Sequence, residues 1–191
     1  MPKKQKTRRL EKRRSGRWLS IIIVSLLTVL IGLYLLAKFS EQRTAPIIKE
    51  KTIPPETKSV SLYFSNATGV KLGVEKRDIK KETTASEIKE VMEQLIKGPA
   101  EKFIRTIPEE TKVLNVRLDK ETAAIDFSAD ITTKHPGGSS AEIQTVYSIV
   151  NSIVFNFPEF KKVQILIDGK KAKTLAGHID ISLPLDGDKT K

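Results

Sequence analysis

Residues 19–37 (LSIIIVSLLTVLIGLYLLA) run 19 positions without a charge, and a dense basic block precedes them. No other feature constrains the chain as strongly. A helix of that length is about 28 Å long, close to the ~30 Å hydrocarbon core of a bilayer. Such a helix satisfies its own backbone hydrogen bonds and needs no partner in order to cross. Lys3, Lys4, Lys6, Arg8, Arg9, Lys12, Arg13, Arg14 and Arg17 lie before the run, against one acid, Glu11. Basic residues flanking a span stay on the cytoplasmic side, so residues 1–17 are expected inside and everything after Lys38 outside. Trp18 and Tyr34 sit near the two ends, where amphipathic rings favour the interface. The apolar run is longer than a cleaved secretory signal needs. It ends Tyr34-Leu35-Leu36-Ala37, with leucine where a cleavage site wants a small residue, so a retained anchor is the reading adopted. A lipid anchor on cysteine is excluded, because the chain has no cysteine.

The net charge of +11 invites a nucleic-acid reading. Its distribution argues otherwise. Residues 1–17 hold nine basic side chains and one acidic, whereas the other 174 residues hold 25 basic and 22 acidic. The basicity is a topological signal with affinity for anionic lipid, and no nucleic-acid partner is expected. Absence of cysteine also removes disulfides, thiolate metal sites and cysteine nucleophiles. An exported domain without staples must rest on its core, and the roughly 130 residues after position 58 suit one ordinary domain.

The chain divides into a basic tail (1–17), a transmembrane helix (18–37), a tether (38–58), a folded domain (59–185) and a polar tail (186–191). The tether carries Pro46, Pro54 and Pro55 among charges. Val60, Leu62 and Phe64 then alternate as a strand, residues 66–69 read as a turn, and Leu72 with Val74 suggests a short second strand. Thr84-x-x-Glu87 reads as a capping box for a helix with the stripe Ile88, Val91, Met92, Leu95 and Ile96, stopped by Gly98 and Pro99. Leu114, Val116 and Leu118, then Ala123, Ile125 and Phe127, read as a hairpin turning at residues 119–122. Ser139-x-x-Glu142 reads as the cap of a second helix with the stripe Ile143, Val146, Tyr147, Val150, Ile153, Val154 and Phe157. Val163, Ile165 and Ile167 form a strand closed by Asp168-Gly169, and a weaker strand is expected around residues 179–183. This order contains a split βαβ unit. It implies an α+β two-layer sandwich: a mostly antiparallel sheet with two helices on one face.

Catalytic readings are thin. Ser128, His135 and an aspartate, Asp126 or Asp130, could form a triad, but Asp126-Phe127-Ser128 ends a strand, where polar residues cap turns. His178 with Asp180 supplies two metal ligands and lacks a third. No catalytic, cofactor or metal site is assigned.

The ordered set Leu62-Tyr63-Phe64, Lys97-Gly98-Pro99, Ile107-Pro108, Asp126-Phe127-Ser128 and Ile167-Asp168-Gly169 resembles the GerMN domain, the sporulation and spore germination domain of bacterial envelope proteins. The resemblance spans residues 59–185 as one copy behind a transmembrane anchor, where relatives are often lipoproteins with tandem copies. It implies a ring-building-like α+β fold and no established catalytic residues, so those motif positions are expected to be structural. The expected function is non-enzymatic: a scaffold at the cell membrane that binds another envelope protein in sporulation or germination. The alternatives are binding of peptidoglycan or regulation of cell-wall enzymes, and then a hydrolase using Asp126 or His135.

Overall fold

A computed structural model describes residues 4–43, 56–100, 102–188 and 190. The chain separates into two compact units, residues 1–53 and 54–191. In the first unit a single helix, α1 (Lys4–Arg43), continues six residues past the apolar run. Its segment Trp18–Ser40 is 23 residues long and apolar enough to cross a membrane. Its large apolar side chains, Leu19 to Phe39, are all at least half exposed. Most of the expected tether lies outside the described residues.

In the second unit, α2 (Thr84–Lys97) shows how directly periodicity becomes packing. Ile88, Val91, Met92, Leu95 and Ile96 fall on one face and are all buried. The cap sits one residue earlier than the sequence suggests: the Thr83 hydroxyl accepts from Ser86 N–H, and Thr84 is the first helical residue. Glu87, expected to close the box, instead accepts from Glu82 N–H and pairs with Lys58 at 2.9 Å.

The C-terminus of α2 explains the Lys97-Gly98-Pro99 motif. Gly98 adopts φ 89°, a conformation that favours glycine, and its N–H returns to the Leu95 carbonyl. Two arginines take the remaining carbonyls: Arg77 donates to Gln94 and Gly98, and Arg105 to Ile96 and Lys97. Positive charge at that end also complements the helix dipole.

Strands β1 (Thr57–Ser65) and β2 (Leu72–Lys80) form an antiparallel hairpin of their own. The second strand is nine residues long, not short. Strands β3 (Val113–Asp119) and β4 (Thr122–Phe127) form the expected hairpin across Lys120 and Glu121. A one-turn helix α3 (Asp130–Thr133) follows. Helix α4 (Ser139–Val154) then crosses over to β5 (Lys162–Ile167), which pairs parallel with β4. Two short strands, β6 (Lys170–Lys171) and β7 (Leu185–Asp186), add to β5. The strand expected at residues 179–183 is only an isolated bridge, Thr174 to Asp180.

The architecture is α+β, with the strands divided between two sheets. The core lies between the helices and the inner faces, where Leu62, Phe64, Ile125, Phe127, Val163 and Ile165 are all fully buried. Besides the shared core, a polar row that starts on α4 and ends at Asn156, just past it, joins the small hairpin to the rest. Ser148 donates to the Tyr63 carbonyl, Ser152 accepts from Tyr63 N–H at 3.0 Å, and Asn156 both accepts from Ser61 N–H and donates to its carbonyl. Side chains four residues apart lie above one another on a helix. Here they stand in for the neighbouring strand that β1 lacks.

Candidate functional site

The motif positions fall into structural roles. Leu62 and Phe64 point into the core, while Tyr63 faces the other way against the Phe155 ring, with centroids 5.6 Å apart. Burial raises the pKa of its phenol above the ordinary value. Asp126 is largely buried and its carboxylate accepts from Gly169 N–H at 2.8 Å. Asp168, held at φ 47°, returns the contact by accepting from Ala129 N–H at 3.2 Å. The two motifs lock together the C-terminal ends of the parallel pair β4 and β5.

The candidate triad does not form. The Ser128 hydroxyl donates to Asp130 at 2.9 Å and accepts from Lys112 N–H. His135 is bound elsewhere: its Nδ1 accepts from Gly137 N–H at 3.0 Å, which leaves the proton on Nε2 for Thr145 Oγ1 at 2.9 Å. Burial holds its pKa below the usual imidazole value, against an opposing pull from Glu142. The other histidine, His178, faces Glu142 at 3.1 Å, while Asp180 bonds Ser182. The candidate metal pair therefore shares no site.

Glu142, expected to cap α4, does something else. Its carboxylate is fully buried and accepts from Leu175, Ala176 and His178 N–H groups at 2.8–2.9 Å. Burial alone would raise its pKa, but the hydrogen bonds from Ala176, Ile179 and His178 outweigh it and hold the group below the ordinary carboxylate value. It staples the 175–178 segment to the helix. The start of α4 is left to Gly138, which has no side chain to offer.

A groove of about 660 Å³ opens beside that helix start. Its walls come from the 65–70 turn, the 104–110 segment and the stretch from Lys134 to Thr145. Asn66 Oδ1 accepts from Thr68, Val70 and Lys71 and so stiffens the turn. That turn presents Val70 at 68% exposure, and Ile104 across from it is 48% exposed. Of the motif positions Ile107 and Pro108 line this groove. Sequence reading missed it because much of its wall is loop with no periodic pattern, and the residues that α4 supplies lie outside the helix's apolar stripe.

Comparison with known proteins follows the fold. The family model Germane, described as sporulation and spore germination, matches residues 61–173, more than half of the chain. A solved structure from Clostridium perfringens, assigned as a lipoprotein, shares 26% identity at a TM-score of 0.51, over 68% of this chain and 87% of that one. The tandem GerMN domains of the sporulation protein GerM from Bacillus subtilis align at 17% identity and a TM-score of 0.55. That alignment covers 70% of this chain and 45% of the tandem. The first GerMN domain of the same protein aligns at 22% identity and a TM-score of 0.51, over 69% of this chain and 96% of that domain. No curated protein sequence matches. The chain belongs to the Germane family of sporulation and spore germination proteins, and its folded unit has the GerMN fold.

Proposed function

We propose that this protein is a membrane-anchored binding module of the bacterial envelope, which acts in sporulation or germination by docking another envelope protein in the groove beside α4. The observation that carries the reading is that groove, with Val70 and Ile104 held open to solvent on a stiffened rim. The residues a hydrolase would use are engaged instead in local hydrogen bonds, which supports a non-catalytic role. A photoactivatable side chain placed at Val70 or Ile104 of the full chain, in sporulating cells, should crosslink an envelope protein. The crosslink from Val70 should vanish with Ile104→Glu. Failure of both positions to crosslink would sink the reading.

Anchoring by α1 with residues 1–17 in the cytoplasm is part of the same proposal, supported by the basic block before the span. The assignment of the Clostridium perfringens protein of this fold as a lipoprotein is consistent with it. A reporter fused after Lys191 should be active outside the cytoplasm, and protease added to protoplasts should remove the domain.

A second reading, cell-wall binding, draws support from the outer face of the larger sheet. A shallow site of about 530 Å³ there gathers Arg117, Asp119, Gln164 and Lys171, and Gln164 Oε1 is buried without a partner. Sugar hydroxyls would suit such a surface. Co-sedimentation with insoluble peptidoglycan, lost in Lys171→Glu, would favour it.

A further inference from the structure

Backbone groups along the edge of a sheet need partners, and this fold closes its edges unequally. In the β1–β2 hairpin, Lys81 N–H donates to the Glu56 carbonyl and Asn66 N–H to the Lys71 carbonyl, which fixes the phase of the ladder. Bonded and non-bonded pairs alternate. The odd-numbered residues of β1 and the even-numbered residues of β2 therefore turn their N–H and carbonyl groups away from the partner strand. On β1 the row of Ser148, Ser152 and Asn156 takes those groups. On β3 a bulge between Val113 and Asn115 interrupts the edge, and the Asn115 side chain accepts from Val116 N–H. On β2 the Glu90 carboxylate takes Lys80 N–H, at the end of the strand. The outward N–H and carbonyl groups of Val74, Lys76 and Asp78 have no partner among the described residues. All three residues are exposed, and none lines the groove beside α4.

The side chains on this edge complement one another. Val74, Lys76, Asp78 and Lys80 share one face, and neither Lys76 nor Asp78 has an ion pair among the described residues. When β2 is laid antiparallel against its own copy with Arg77 on the two-fold axis, Lys76 stands opposite Asp78 of the second copy. Symmetry repeats the pair in the other direction. Opposite charges facing one another across strands are favourable, and the stem of Lys80 covers Val74. Arg77 itself points to the other face, where Glu75 at 2.6 Å and the Gln94 and Gly98 carbonyls already hold its guanidinium.

Other registers fit less well. An axis at residue 76 or 78 sets like charges opposite each other, and one at residue 75 sets both charges against apolar side chains. An axis at Ile79 needs the N–H groups of Lys80 and Glu82, which Glu90 and Glu87 occupy. A foreign strand would satisfy the amides alone; a second copy satisfies the side chains as well. We propose that β2 pairs antiparallel with β2 of a second copy of this chain about an axis at Arg77, joining two hairpins into one four-stranded sheet. Residues 76 and 78 of the two copies then exchange four backbone hydrogen bonds, all through groups that are free in the single chain.

The chain has no cysteine, so introduced cysteines report without background. In this register residue 74 of one copy stands about 5.5 Å from residue 80 of the other, whereas the two copies of either residue lie about 20 Å apart. A disulfide needs Cα atoms within about 7 Å. Full-length chains carrying Val74→Cys and Lys80→Cys, each with a different tag, are expressed together and oxidised in intact cells. The mixed disulfide should exceed that of either chain expressed alone at least tenfold. Lys76→Glu in both chains should lower it at least fivefold, and Lys76→Glu combined with Asp78→Lys should restore it. All four positions are exposed, so these changes leave the core intact. A mixed yield no higher than either chain gives alone, an undiminished yield with Lys76→Glu, or no recovery in the double exchange would overturn the pairing. A disulfide from either position to a different protein, in place of the second copy, would overturn it too and show that the edge takes a foreign strand.

Discussion

The carboxylate of Asp126 accepts the amide proton of Gly169 at 2.8 Å. Asp168 answers by accepting from Ala129, so two motifs some forty residues apart hold each other. Asp126→Ala should cost about 1 kcal/mol, because the Gly169 N–H loses its acceptor. Asp126→Asn keeps an acceptor and should cost less. Urea denaturation of both variants checks the order, and an equal loss in the two would count against a hydrogen-bond origin.

Asn156→Leu should be more damaging than its half-buried position suggests. It leaves both the N–H and the carbonyl of Ser61 without their partner. Each group left unpaired costs about 1–3 kcal/mol. Ser152→Ala exposes one such group, Tyr63 N–H, and should lose roughly half as much. Thermal melts of the two variants give the comparison.

Acid should weaken the fold in two separate steps. The pKa of His135 is lowered in the folded state, so its contribution is full above the ordinary imidazole value and shrinks as pH falls below that value towards the folded one. The pKa of Glu142 is also lowered, so its contribution is full above the ordinary carboxylate value and is lost as pH falls through the folded one. His135→Gln should remove the step near neutrality and leave the acidic one, and Glu142→Gln should do the reverse. Melting temperatures from pH 8 to pH 3 distinguish them.

Ile165, fully buried on β5, should cost about 2–5 kcal/mol on truncation to Ala. Gly73 tests packing from the other direction. A Cβ there would clash with the Phe103 ring, so Gly73→Ala should destabilise by about 1–3 kcal/mol. Adding Phe103→Leu should return part of the loss. Additive losses in the double variant would show that the ring is not what limits position 73.

Periodicity carried the helices and the inner strands. The α2 stripe, the β3–β4 hairpin and the alternation of β5 all stand where apolar spacing put them. Spacing fails where a polar side chain serves the interior. Gln144, Thr145, Ser148, Asn151 and Ser152 fall outside the apolar stripe of α4, yet all are buried, because they meet backbone and not water. The caps were displaced for a similar reason: Glu87 and Glu142 have distant partners that a local pattern does not contain. Glu142's withdrawal is also why the bare helix start at the groove was illegible.

The row of Ser148, Ser152 and Asn156 sets an order of events. Strand β1 is among the first parts of the domain to leave the ribosome, but the groups that complete it lie 89 and 95 residues further along. Closing so long a loop costs entropy before any contact rewards it. The first hairpin must therefore wait, half-finished, until nearly the whole domain has been made. A chain cut short before Asn156 keeps every residue of that hairpin and still cannot seal it.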